Sequence, residues 1–145
     1  MQAAGYGYST TADQGTAEFK CCGPFHDLIL RYVQAQLTQT AQSAGCNAKH
    51  EIGQRLARWL LLCADRIGTT EMRLSHDFLA DMLGVNRSSV ALAANQLRGE
   101  GLIEYRRAQI SIPNTKALEK KACECYHVVK GHLDNYTEFD TGTAV

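Results

Sequence analysis

The stretch that most constrains the fold runs from Leu74 to Leu97 and reads LSHDFLADMLGVNRSSVALAANQL. Ser75 puts a hydroxyl where a helix needs an N-cap, and His76 and Asp77 follow in a first turn that favours negative charge. Leu79, Ala80 and Leu83 mark the apolar side of a short helix. Gly84 comes where the chain must leave that helix in the left-handed conformation, which glycine adopts without a Cβ penalty. Asn86 caps a second helix, with Val90, Ala93 and Leu97 as its apolar stripe. Two short helices joined this tightly must cross closely, so the small Ala80 faces the branched Val90 across the crossing. The spacing is that of a helix-turn-helix.

The chain of 145 residues has room for one compact domain with extensions. Its 15 basic and 15 acidic residues balance, so overall charge gives no argument for nucleic acid. From Arg55 to Arg107 eight arginines face six carboxylates, a surplus of two, so a nucleic-acid site would have to come from local clustering. No apolar run approaches the roughly 20 residues that span a bilayer. MQAAGYGYSTTADQG lacks the basic segment and apolar core of a signal peptide. Six cysteines without an export signal read as free thiols, and the expected location is the cytoplasm, with no membrane partner.

In chain order, residues 1–24 read as a mobile tail rich in Gly, Ser, Thr, Ala and Gln, ending at Pro24, which suits the first turn of a helix. Residues 25–50 read as a long helix and hinge. Leu30, Val33, Leu37, Ala41, Ala44 and Ala48 recur at spacings of 3, 4, 4, 3 and 4, and Gly45 to His50 interrupts the stripe. That stripe must be buried, either on the domain that follows or against the same helix of a second chain. The pairing of two chains is preferred, because few elements remain to cover the stripe, and Leu30, Val33, Leu37, Ala41 and Ala44 would form the interface.

Residues 51–115 hold a helix with Ile52, Leu56, Trp59, Leu60 and Cys63 on its apolar side, a short strand over Glu71 to Leu74, the helix-turn-helix closed by Gly99, and a β-hairpin. In the hairpin, Leu102, Ile103 and Tyr105 form one run, and Ile110 and Ile112 the other. Arg106, Arg107 and Ala108 form the turn, which makes a basic wing. Residues 116–145 complete a final helix, capped by Asn114 and striped by Ala117, Leu118, Ala122 and Cys125, and end in a polar, frayed tail. The fold class is thus mainly α with a small β wing.

The ordered set RLARWLLLCADR, the helix-turn-helix stretch and GLIEYRRAQISI resembles the DNA-binding part of the Crp/Fnr family of bacterial transcription regulators. The segments LARWLL and ACECY look like one subgroup of it. The resemblance covers about Phe25 to Val129. It implies that residues 25–49 are a dimerisation helix, that Glu51 sits at the hinge, and that a winged helix-turn-helix domain follows. The family carries a jelly-roll sensor of over a hundred residues before the long helix. Here about 24 residues precede it, with no cyclic-nucleotide-binding segment and no N-terminal four-cysteine set. The chain therefore reads as a truncated regulator without a cofactor, and effector control does not carry over.

In such an arrangement the second helix lies in the major groove. Arg87, whose fork matches guanine O6 and N7, is the first candidate for base readout. Ser88 and Ser89 are weaker candidates, and Leu92 can meet a thymine methyl but cannot hydrogen-bond. Ser75, His76, Asn86, Asn95, Arg106, Arg107 and Gln109 are candidates for the phosphate backbone, where contacts position without specifying sequence. Trp59 reads as core. His50 near Cys46, and Cys123 and Cys125 near His127, raise the question of a metal or redox site. Two thiols two apart on one helix diverge, so the expectation is no metal. No catalytic constellation stands out, and an enzyme is not expected. The reading is a sequence-specific transcription regulator that binds double-stranded DNA as a homodimer, with RNA polymerase as a further possible partner. The alternatives are a module binding a partner regulator or polymerase, and a thiol-based redox sensor.

Overall fold

The structure, a computed structural model, describes residues 7–106 and 109–137. The first helices are α1 (Ala12–Lys20), α2 (Pro24–Lys49) and α3 (Ile52–Ile67). Strand β1 (Glu71–Arg73) leads into α4 (His76–Leu83) and α5 (Arg87–Gly99). The hairpin strands β2 (Glu104–Arg106) and β3 (Gln109–Ser111) precede α6 (Thr115–Lys121) and α7 (Cys125–Thr137). β3 is central in an antiparallel sheet of order β1-β3-β2, with Met72 opposite Ile110 and Arg106 opposite Gln109. The fold is thus largely helical with a small sheet, as the patterning predicts.

The core forms around α3. Leu56, Ala57 and Leu60 have no exposed surface, and they pack with Leu79, Val90, Leu97, Ile110 and Leu118, which are equally buried. Each such leucine, isoleucine or valine side chain contributes about 1.5–3 kcal/mol by leaving water. Trp59 sits at the edge of this core, edge-on to Phe78 at 5.9 Å, and is a packing residue as expected. Arg55 in α3 is also buried, and its Nη2 donates to the Leu83 carbonyl at the end of α4. That bond satisfies an orphan helix carbonyl and fixes α4 against α3.

The chain departs from the expected pattern at five places. Residues 12–20 are helical rather than tail: Thr11 and Gln14 make a reciprocal capping box, and Phe19 packs on His26 with ring centroids 4.6 Å apart. Gly45 does not interrupt α2, which runs on to Lys49; packing of α7 along α2 outweighs the helix cost of one glycine, about 1 kcal/mol. The bend falls instead at His50 and Glu51, both in extended backbone. Gly99 lies inside α5; the left-handed residue is Gly101, at φ 70°, and Leu102 N–H returns to the Leu97 carbonyl at 2.9 Å. The C-terminal helix is two helices, because Ala122 turns to ψ 154° and ends α6. The last stretch joins α7 up to Thr137, and residues 138–145 lie outside the described residues.

The stripe on α2 points away from the rest of the chain. At 100° per residue, Ala35, Gln42 and Cys46 share the face toward α7, and the stripe falls on the opposite face. Ala35 and Cys46 are buried, whereas Leu30, Val33 and Leu37 are 48%, 45% and 66% exposed, and Ala41 and Ala44 are exposed too. Among the described residues of this chain, none buries that stripe. No described helix is long and apolar enough to cross a membrane.

Candidate nucleic-acid interface

The two helices of the turn are built by their caps. The Ser75 hydroxyl accepts from Phe78 N–H at 3.1 Å and starts α4. Gly84, at φ 63°, takes the left-handed position and lets the chain reverse. The Asn86 side-chain Oδ1 accepts from Ser89 N–H and from the Ser88 hydroxyl, both at 2.8 Å, and starts α5. Ala80 and Val90 are both buried at the crossing.

Packing of Val90, Ala93, Ala94 and Leu97 on the core fixes which side of α5 meets solvent. Ser88, Leu92 and Asn95 fall within one 60° sector of that outer side by helical geometry, and all three are exposed. Leu92, at 63% exposure, is a large apolar group held out in water. Ser89 is half-buried and faces the edge of the sector. Arg87 stands at the first residue of α5, widely exposed, and pairs with Asp77 of α4 at 3.2 Å. Asp77, which the sequence pattern does not mark as a site residue, lies in the first turn of α4 and meets Arg87 because the fold packs α4 against α5. At this exposure the pair is weak and easily exchanged for another partner.

Arg106 and Gln109 are partners across the hairpin and both are exposed, and strand β2 packs beside α5. Arg107 and Ala108, expected at the tip, lie outside the described residues. Of the eight arginines between Arg55 and Arg107, Arg55 and Arg58 are only 6% and 4% exposed, so they do not add to a basic outer face. Arg66, Arg73, Arg87, Arg98 and Arg106 are exposed, and of these Arg87 opens α5 and Arg106 stands in the hairpin beside it.

His76 is placed differently from its expected role as a surface phosphate ligand. Its ring stacks on Tyr105 at 4.5 Å and 11°, and its Nε2 is buried without a hydrogen-bond partner among the described residues. It joins the start of α4 to the wing. Burial holds its pKa below the ordinary 6.5, the Arg87 charge acts in the same direction, and Asp77 opposes them. As pH falls, the unfolded chain takes up this proton before the folded one does. The stability present above pH 6.5 is therefore lost between that value and the lowered folded value. Melting temperatures measured from about pH 7.5 to about pH 5 should fall on acidification. His76→Phe keeps the stacking without the proton and should flatten that fall; equal slopes in both proteins would show that His76 does not set it.

The cysteines are also rearranged. Because α6 ends at Ala122, Cys123 and Cys125 flank a turn and do not lie two apart on one helix, so the stated ground for their divergence does not hold. Cys46, His50, Cys123 and Cys125 bring one ligand atom each to within 4.8 Å of one another. His127 lies elsewhere, 3.5 Å from Glu119.

Residues 54–121 match the Crp-like helix-turn-helix domain family. The chain is 28% identical over 102 residues to the global nitrogen regulator of a Nostoc species, covering 65% of this chain and 45% of that protein. A Crp/Fnr-family regulator structure from Eubacterium rectale superposes with a TM-score of 0.59 at 22% identity, over 76% of this chain and 51% of that one. A CRP-family transcriptional regulator from Thermus thermophilus gives 0.57 at 27% identity, over 65% and 51%. The chain spans less than half the length of the curated relative and about half that of these structures.

Proposed function

We propose that this chain, which carries a Crp-like helix-turn-helix domain, is a cytoplasmic, non-catalytic regulator of transcription that binds DNA sequence-specifically as a homodimer. The observation that carries the reading is the outer side of α5. Its first turn is capped and exposed, Arg87 stands at its start, and a hairpin with Arg106 lies beside it. α5 would enter the major groove with Arg87 toward base edges and Leu92 toward a thymine methyl. Ser88, Ser89 and Asn95 would meet base edges or phosphates. Ser75 and Asn86 open the helices, where backbone N–H groups attract phosphate. Arg106, Arg107 and Gln109 would hold the neighbouring backbone. Two copies paired through α2 would address half-sites about 34 Å apart.

Binding to genomic fragments, measured by mobility shift at several salt concentrations, tests the reading. A protein held by phosphate contacts loses affinity steeply as salt rises, by about 0.9 in log–log slope per contact. Arg106→Ala should weaken binding to all sequences alike and make the slope of a dimer shallower by about two. Binding that ignores salt, or capture of a protein partner with no DNA retained, would favour the protein-interaction reading instead.

A further inference from the structure

We propose that Cys46, His50, Cys123 and Cys125 form a binding site for one zinc-class divalent ion, which clamps the end of α2 to the α6–α7 turn. The four ligand atoms already converge within 4.8 Å, although they come from segments 77 residues apart in the chain. A tetrahedral zinc with bonds to sulfur of 2.3 Å sets its ligands about 3.8 Å from one another. Cys46 Sγ lies 3.5 Å from Cys123 Sγ, and Cys125 Sγ lies 3.6 Å from His50 Nδ1. Sulfurs this close leave room for a single ion and none for a multi-iron core. Three cysteines and one histidine are a donor set that suits zinc.

The surroundings of the cluster point the same way. The three thiols form a small buried group apart from the main core, at 0%, 4% and 1% exposure. His50 turns Nδ1 toward Cys125, and its Nε2 lies 3.2 Å from the Glu124 carboxylate. A carboxylate on the far ring nitrogen is the arrangement that orients a metal-bound histidine. Gln42 Nε2 donates to Cys125 Sγ at 3.0 Å, as a donor to a thiolate would. Arg58 is 4% exposed, its Nε has no partner among the described residues, and its charge bears on Cys46. A buried guanidinium nitrogen left without a partner is costly. Three thiolates around a dication carry one net negative charge, which this arginine balances. A Cys46–Cys123 disulfide would leave Cys125, His50 and the Glu124 contact without a role.

Each thiol gives its proton to solvent as its sulfur bonds the ion. The reduced, full-length chain, stripped of metal by chelator and then given Co²⁺ or Zn²⁺, should take up one ion per chain by elemental analysis. The cobalt form should show thiolate-to-metal charge-transfer absorption and the intense visible bands of a tetrahedral site. Cys123→Ser and His50→Ala should abolish or strongly weaken this uptake, whereas Cys63→Ser should leave it intact. Wild-type protein needs no mutation for a second readout: free zinc at 100 times its Kd should raise Tm by roughly 10 °C. Reduced wild-type chain that takes up no ion overturns the proposal. So does uptake unchanged by Cys123→Ser, or a chain that only loses two hydrogens to a Cys46–Cys123 bond. None of these readouts depends on DNA binding.

Discussion

Replacing Arg87 with alanine is expected to cost about 1–3 kcal/mol of base discrimination per half-site, and so about 2–6 kcal/mol over a two-half-site operator. The loss should appear in the ratio of operator to random-sequence affinity, and only modestly in affinity for random DNA. The side chain is widely exposed and its ion pair among the described residues is to Asp77, so the substitution leaves no buried hole and should not lower Tm appreciably. Asp77→Asn gives the counterpart. It frees the guanidinium from a competing carboxylate, and binding to all DNA should tighten, most at low salt. Competition binding with operator and scrambled duplexes measures both. If Arg87→Ala lowers both affinities by the same factor, Arg87 contacts phosphate, and base readout passes to Ser88, Leu92 and Asn95.

The parts of this interface written in local sequence were legible there. Ser75, Gly84 and Asn86 each act through hydrogen bonds or backbone angles within a few residues, so their spacing predicts α4, the turn and α5 without knowledge of the rest. The stripe on α2 was equally legible, since helical periodicity needs no partner. The capping box at Thr11 and Gln14 is local too, but it starts a helix inside a polar stretch whose composition reads as a tail. What failed was long-range. Arg87 meets Asp77, and His76 meets Tyr105, only because α4, α5 and the wing pack together. The cysteine cluster was lost to one assumption, that the apolar pattern from Ala117 to Cys125 is a single helix. Ala122 breaks that helix without proline or glycine, and the turn it makes carries Cys123 onto Cys46 of a helix 77 residues away.

That cluster sits where the two functional parts of the chain meet. α2 ends at Lys49, α3 begins at Ile52, and only His50 and Glu51 lie between, as C-cap and N-cap. Tyr126 donates to Asp65 at 2.9 Å and Lys130 pairs with the same carboxylate at 3.1 Å, so α7 holds α3 as well as α2. α7 is therefore the brace between the long helix and the helix-turn-helix unit. Anything that stiffens its start, such as an ion at Cys123 and Cys125, would also fix the angle at which two copies present α5.

Leu37→Glu tests whether two copies act together. Leu37 is the most exposed large apolar residue of the α2 stripe, at 66%, so a charge there costs the isolated chain little. In a parallel pair of α2 helices the same substitution buries two like charges face to face, which a dimer cannot tolerate. The variant should keep its helix content and melt as a folded chain, yet elute at monomer mass by light scattering. Binding to a two-half-site duplex should then fall by about 10²–10⁴, because the second half-site is no longer tethered to the first. Binding to a single half-site should barely change, since α5 and the wing are untouched. The contrast between the two duplexes separates loss of pairing from loss of reading. A Leu37→Glu chain that stays dimeric would move the interface off this stripe, and would leave Leu30, Val33, Leu37, Ala41 and Ala44 exposed for another partner.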